Sequence, residues 1–206
     1  QMDRVHATPT QQRQADMILD AGKQLLSLVE DVLDLSKVES GHITMQLQPV
    51  DASQSLRQCA TLIANQLQEH QLTWIDQLPQ QPMWVHADPQ RLQQIWINLL
   101  TNACKYNRSG GHITVSTSEV PNGIRIDIAD TGAGLSPQDI AELFQPFKRV
   151  NASPNIEGTG LGLYIVKLLV ERMHGDVSIQ SELGRGSVFS VQLPAATQPD
   201  PSKPLV

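Results

Sequence analysis

Cysteine is scarce in this chain. Cys59 and Cys104 are the two thiols among 206 residues, too few for a disulfide framework and without metal-ligand spacing. Both fall in apolar helical patterns, which suits small buried hydrophobes. His6, His42, His70, His86, His112 and His174 are equally scattered, so a histidine metal site is not expected. No apolar run approaches the roughly 18 residues of a membrane span. No basic segment followed by an apolar one marks a signal peptide. The net charge of −6 lacks the clustered Lys and Arg that a phosphate backbone demands, so neither nucleic acid nor membrane is an expected partner. A phosphate loop ending in Gly-Lys-Ser/Thr is missing too. These absences fit a reducing compartment, the cytoplasm.

What is present suffices for a sizeable core, with 40% apolar residues in a length that suits one domain with appendages or two small ones. From Gln11 to Ser40, Ile18, Ala21, Leu25, Leu28, Val32 and Leu35 repeat at alternating spacings of three and four. That is a heptad seam, which Leu26, Val29 and Leu33 widen to a face fit for a helix bundle, with Gly41 as its stop. Ile43, Met45 and Leu47 alternate as a strand would, and Asp51 or Ser53 caps a helix to Glu69. Strands are expected at Leu72–Ile75 and Met83–His86. Asp88-Pro89 starts a helix to Tyr106. Hairpins are expected around Pro121-Asn122-Gly123 and Gly184-Arg185-Gly186, a short helix from Ser136-Pro137 to Phe144, and a longer one from Leu161 to Met173. The tail from Pro194, rich in proline, reads as a linker. Strands and helices do not alternate regularly, so a mixed sheet with helices on one face is expected, an α+β fold.

Three clusters carry chemistry. Asn98, Asn102 and Lys105 lie at i, i+4 and i+7, on a helix face separate from the apolar stripe of Leu92, Ile95, Trp96, Leu99 and Ala103. Asn is a mediocre helix former. Two of them in an apolar helix suggest amide carbonyls for a hard cation such as Mg²⁺, with the lysine for the phosphates it bridges. Asp130-Thr131-Gly132-Ala133-Gly134 ends an alternating apolar run. A carboxylate there, among glycines that let backbone approach a planar ring, suits an exocyclic amine such as adenine N6. Aspartic proteases also use Asp-Thr-Gly, but they need two carboxylates sharing a proton, and no second such segment exists. Gly158-Thr159-Gly160-Leu161-Gly162 opens a helix whose N–H groups and dipole favour phosphate. Between the last two clusters runs a polar segment broken by Pro146 and Pro154, a candidate lid.

Together these segments resemble the catalytic, ATP-binding part of a sensor histidine kinase, of the GHKL superfamily with its Bergerat fold, over roughly residues 14 to 193. Asn98 to Tyr106 resembles the N box, which implies Mg²⁺ on Asn102 with Asn98 supporting, Lys105 at the phosphates and Tyr106 near adenine or ribose. Asp130 to Gly134 resembles the G1 box, with Asp130, Gly132 and Gly134 around adenine. Phe144 to Arg149 resembles the F box, implying Phe147 at the lid base and Arg149 as a phosphate contact. Gly158, Thr159, Gly160, Leu161 and Gly162 resemble the G2 box, and Gly184 to Phe189, with Ser187, the last glycine box. The catalytic set so implied is Asn102, Lys105 and Arg149.

The resemblance also implies a two-layer α/β sandwich over residues 42–195, preceded by a partial dimerisation helix over 1–41 and followed by a tail at 196–206. Hydrolytic members of the superfamily carry a Glu where this chain has Asn98, which cannot take a proton. Phosphoryl transfer to a protein histidine is therefore favoured over hydrolysis, and a GHKL ATPase or a non-catalytic nucleotide-binding scaffold are the alternatives. No segment matches the family's phosphoacceptor motif, and His6 before Ala7-Thr8-Pro9 does not take that role. The expected chain is thus a fragment with the second helix of a dimerising hairpin. Its expected partners are a second copy and a response regulator or receiver domain, in the cytoplasm or as the cytoplasmic part of a membrane-anchored sensor.

Overall fold

A computed structural model describes residues 9–39, 44–121, 123–149 and 158–199. Along the chain run α1 (Pro9–Glu39), β1 (Gln48–Asp51), α2 (Ala52–Leu62), α3 (Ala64–Glu69), β2 (Thr73–Asp76), β3 (Trp84–Ala87) and α4 (Pro89–Lys105). Then follow β4 (His112–Val120), β5 (Gly123–Asp130), α5 (Pro137–Glu142), α6 (Gly162–Arg172), β6 (Asp176–Glu182) and β7 (Gly186–Pro194). His6, the stop at Gly41, the turn residue Asn122, the lid centre at 150–157 and the tail from 200 lie outside the described residues.

Five strands form one mixed sheet in the order β2-β4-β5-β7-β6, with β2 parallel to β4 and the remaining pairs antiparallel. Ile124, Ile126 and Ile128 alternate along β5 and point to the same face as Val191 and Leu193 of β7, all nearly or fully buried. On that face lie α2, α4 and α6, whose buried stripes include Leu56, Cys59, Leu92, Ile95, Trp96, Leu99, Ile165 and Leu169. Each such side chain contributes about 1.5–3 kcal/mol by leaving water. The opposite face is polar: Arg125 pairs with Asp127 at 2.8 Å, and Ser190 donates to the same carboxylate oxygen at 2.6 Å. This is the expected two-layer α+β arrangement. Burial raises both thiols to a pKa of about 11, so Cys59 and Cys104 are protonated core residues at neutral pH.

Caps set the helix starts. The Asp51 carboxylate accepts from the N–H groups of Ser53 and Gln54, and that of Asp88 from Gln90 and Arg91. Ser136 and Asp139 form a reciprocal capping box at α5. Caps of this kind stabilise a helix by about 1 kcal/mol each.

The structure departs from expectation in three places. No strand covers Met45 and Leu47; β1 begins at Gln48, pairing with Ala87 of β3. Met45 and Leu47 alternate because both pack against the core, while the N–H of Gln46 between them goes to Asp88 Oδ2 at 2.9 Å rather than to a strand. The single helix expected to Glu69 is offset at Ile63, whose φ of −96° and ψ of 7° separate α2 from α3. Ile63 is buried and ends the stripe of Ala52, Leu56 and Cys59, whereas α3 has no fully buried residue. The chain also remains paired beyond Pro194: Ala195 bridges Val85, and the Ala196 N–H reaches Trp84 O at 2.9 Å. β1 and β3 are thereby joined to the end of β7.

Helix α1 touches α6 and leaves Met17, Ile18, Leu25, Leu26, Val29 and Leu33 exposed.

Candidate functional site

A cavity of about 320 Å³ opens at the end of the sheet where β5 finishes and α4 ends. Asp130 enters it by continuing an alternation. Ile124, Ile126 and Ile128 face the helices, and the next inward position of β5 is a carboxylate instead of an isoleucine. Only 9% of the residue is exposed. Burial holds its carboxyl above the usual carboxylate range, opposed by backbone N–H groups of Gly132 and Ser187 that favour the anion. The Gly132 bond is 2.7 Å long.

The backbone around Asp130 is braced closely. Any Cβ on Gly132 would run into the Tyr106 carbonyl, which fixes the G1-like turn against the end of α4. Gly134 adopts a φ of +68°, and a Cβ there would strike the Glu182 carbonyl. The Gly184 N–H bonds Ala133 O at 2.7 Å, and the Leu135 N–H bonds Ser181 Oγ at 2.8 Å. Ser181 Oγ lies 2.9 Å from Ser187 Oγ, and Ser187 borders the cavity beside Asp130. A further tie was not legible in the sequence. Thr131 Oγ1 accepts from the His112 N–H at 2.9 Å and donates to Asn107 Oδ1 at 3.0 Å, joining β4, β5 and the segment after α4.

Asn98, Asn102 and Lys105 line the same cavity from α4, with Tyr106 at its C-terminal cap. Asn98 Nδ2 donates back to Gln94 O at 3.2 Å, and its Oδ1 would lie 2.8 Å from a Cβ on Gly162. The amide is thus turned with its acceptor toward the start of α6. Two neutral amides are a set that suits Mg²⁺, which takes few protein ligands and completes its shell with phosphate oxygens and water. Gly158, Thr159, Gly160 and Gly162 line the cavity as well, Gly162 against Asn98. Helix α6 starts there with no side-chain cap on its first N–H groups, the arrangement that binds anions. Lys148 and Arg149 approach from the segment after α5, with Lys148 paired to Glu142 at 2.8 Å.

Three expected residues do not line the cavity. Leu161 is fully buried and anchors α6 to the core. Gly132 lies behind the wall as a packing contact of Tyr106. Phe147 is 59% exposed, with a φ of +62° and its N–H on Gly160 O at 3.1 Å. Gln66 of α3, which no motif marked, does line it.

Residues 87–197 match the family model described as histidine kinase-, DNA gyrase B- and HSP90-like ATPase. The chain belongs to this family. Within the family it sides with the kinases, since the chain is 37% identical over 205 residues to the circadian input-output histidine kinase CikA of Synechococcus elongatus. That match covers 96% of this chain and 27% of CikA. It is also 35% identical to the histidine protein kinase DivJ of Caulobacter vibrioides, over 90% of this chain and 31% of DivJ. Full-length ShkA in complex with AMPPNP superimposes with a TM-score of 0.79 at 32% identity, over 97% of this chain and 42% of that one. The kinase ThkA in complex with the response regulator TrrA shares the fold, with a TM-score of 0.74 at 19% identity over 94% of this chain and 54% of that one. The chain therefore spans less than a third of the length of these two curated kinases.

Proposed function

We propose that this chain binds ATP·Mg²⁺ and, in the intact kinase, delivers the γ-phosphoryl group to a histidine on a partner helix. One observation carries the reading: a single cavity is bordered by Asp130, by Asn98, Asn102 and Lys105, and by the uncapped start of α6. Adenine enters at the Asp130 end, where the carboxylate accepts from the N6 amine; guanine offers a carbonyl oxygen there and is rejected. Gly134 and Ser187 flank the ring, and Tyr106 closes on the ring or ribose. The phosphates extend toward Gly158, Thr159, Gly160 and Gly162, with Lys105 and Arg149 neutralising charge as it shifts to the transferred group. Asn102 would hold Mg²⁺ with Asn98 in support, and the cation would supply positive charge to the phosphates. Asn98 has no base to offer a water molecule, which disfavours hydrolysis.

Residues 42–195 form the catalytic unit in this reading, 1–41 a dimerisation helix whose exposed stripe meets a second copy, and 196–206 a tail. A response regulator is the onward acceptor, as TrrA is the partner in the ThkA complex. No described helix is long and apolar enough to cross a membrane, and the cytoplasm is the proposed location.

Calorimetric titration with a non-hydrolysable ATP analogue tests the reading. Saturable binding that strengthens with Mg²⁺ supports it, and absence of binding overturns it. Labelled ATP with a separate acceptor-helix fragment tests transfer: a labelled histidine supports kinase action, whereas steady ATP turnover without label supports an ATPase.

A further inference from the structure

Gln66 lines the cavity together with Thr101, Asn102, Lys105 and Tyr106, yet its Oε1 is buried and has no hydrogen-bond partner. Buried polar atoms nearly always find partners, and an orphaned acceptor bears the whole cost of having lost water. The other orphans among the described residues, Ser53 Oγ and Trp96 Nε1, belong to residues 1% and 0% exposed that do not border the cavity. Gln66 differs by standing at a ligand site. Its helix is held by Ile63 and Leu67, which pack on the core, so the amide is not what fastens α3 to α4.

An acceptor calls for a donor. An adenine nucleotide offers three kinds: the N6 amine and the ribose 2′ and 3′ hydroxyls, since ionised phosphates only accept. The amine belongs to the Asp130 end of the cavity, and the hydroxyls remain. Ribose lies between base and phosphates, and Gln66 shares the cavity with α4, which meets the Asp130 turn at Tyr106 and the start of α6 at Asn98. Torsion about the terminal bond of a glutamine is broad, so the amide can turn Oε1 to a hydroxyl proton or Nε2 to a hydroxyl oxygen at low cost.

We propose that Gln66 reads the ribose hydroxyls and sets a preference for ribonucleotides over deoxyribonucleotides; this rests on the adenine-nucleotide reading of the cavity. Gln66 positions the sugar and does not take part in phosphoryl transfer.

Titration of the chain with ADP·Mg²⁺, 2′-deoxy-ADP·Mg²⁺ and 3′-deoxy-ADP·Mg²⁺ tests it. The native chain is expected to bind ADP about 5- to 10-fold more tightly than at least one deoxy form, the range of one neutral hydrogen bond. Gln66→Met keeps the length and loses the polar end, and should bind all three within about twofold of one another. Gln66→Glu keeps an acceptor and should retain the preference while weakening all three, which a purely structural residue would not do. Gln66→Ala serves as the removal variant if Gln66→Met does not fold. A native chain that binds ADP and both deoxy forms equally overturns the ribose role and leaves the cavity reading intact. No binding of any adenine nucleotide overturns both. A folded Met or Ala variant that keeps the native ratio, or loses all binding, also overturns the proposal.

Discussion

The two ends of the cavity are built in different ways. Around Asp130, strand ends, three backbone-contacting glycines and a net of short hydrogen bonds leave no slack: Gly132, Gly134 and Gly186 each have a carbonyl where a Cβ would go. At the other end the bracing is uneven: Gly160 lies against the backbone of Phe147 and Lys148, but Gly158 has no atom within 4 Å of that position, Phe147 is exposed, and α6 begins without a side-chain cap. The contrast follows from what each end must recognise. A planar base is discriminated by shape and by one donor, so its wall has to be rigid. A polyphosphate is recognised by charge and N–H groups, which tolerate a looser frame.

That contrast can be broken by experiment. The largest effect is expected at Gly134. Alanine there adds left-handed strain and a clash with Glu182, so Gly134→Ala should cost about 3 kcal/mol or more in unfolding free energy by denaturant titration. Near-native stability would show that the base end has slack after all. Next comes Asp130→Asn, which replaces a charged acceptor and should weaken ADP binding roughly 10- to 100-fold, without a comparable change in the Mg²⁺ dependence. Unchanged affinity would remove Asp130 from base recognition.

The pH dependence is smaller and has two signs. Burial raises the folded pKa of Asp130 above its unfolded value, so its contribution to stability is fully present below the unfolded pKa and is lost as pH rises through the folded one. Nucleotide affinity should move the other way, rising with pH across the same window as the anion forms, and binding there should release a proton. Titrations in buffers of different ionisation heat detect that release, and Asp130→Asn should abolish both trends. The smallest effect is expected for Gly158→Ala, within about 0.5 kcal/mol of native stability, since nothing contacts the new methyl. A large loss would mean that the phosphate end is as tightly braced as the base end.

Much of this was legible in sequence because the informative residues break a local rule. Asp88-Pro89 announces a helix start, the paired asparagines interrupt an apolar helix, and Asp130 stands where an isoleucine should continue. Other features carry no such signal. Met45 and Leu47 alternate like a strand because period-two burial and strand pairing look alike in sequence; what separates them is the N–H of Gln46, which bonds Asp88 instead. Leu161 and Phe147 sit within recognisable motifs, yet one is buried in the core and the other is exposed with a left-handed backbone, and a motif does not distinguish either from a cavity-lining position. Gln66 is one glutamine among many, and its role emerges only when α3 is set against α4. The pairing of Ala195 and Ala196 with β3 depends on backbone groups, to which side-chain composition is blind.

The Asp88 carboxylate holds two different parts of the chain at once. Oδ1 takes the first N–H groups of α4, and Oδ2 takes the N–H of Gln46 in the segment leading to β1. A helix is stiff along its axis and rises about 1.5 Å per residue, so a pull on that segment is delivered to Asn98 some 15 Å away with little loss. The same side chain is thus both cap and clutch. Tension entering near Gln46 acts on the asparagine-bearing helix itself and, through Tyr106 at its far end, on the turn that follows Asp130.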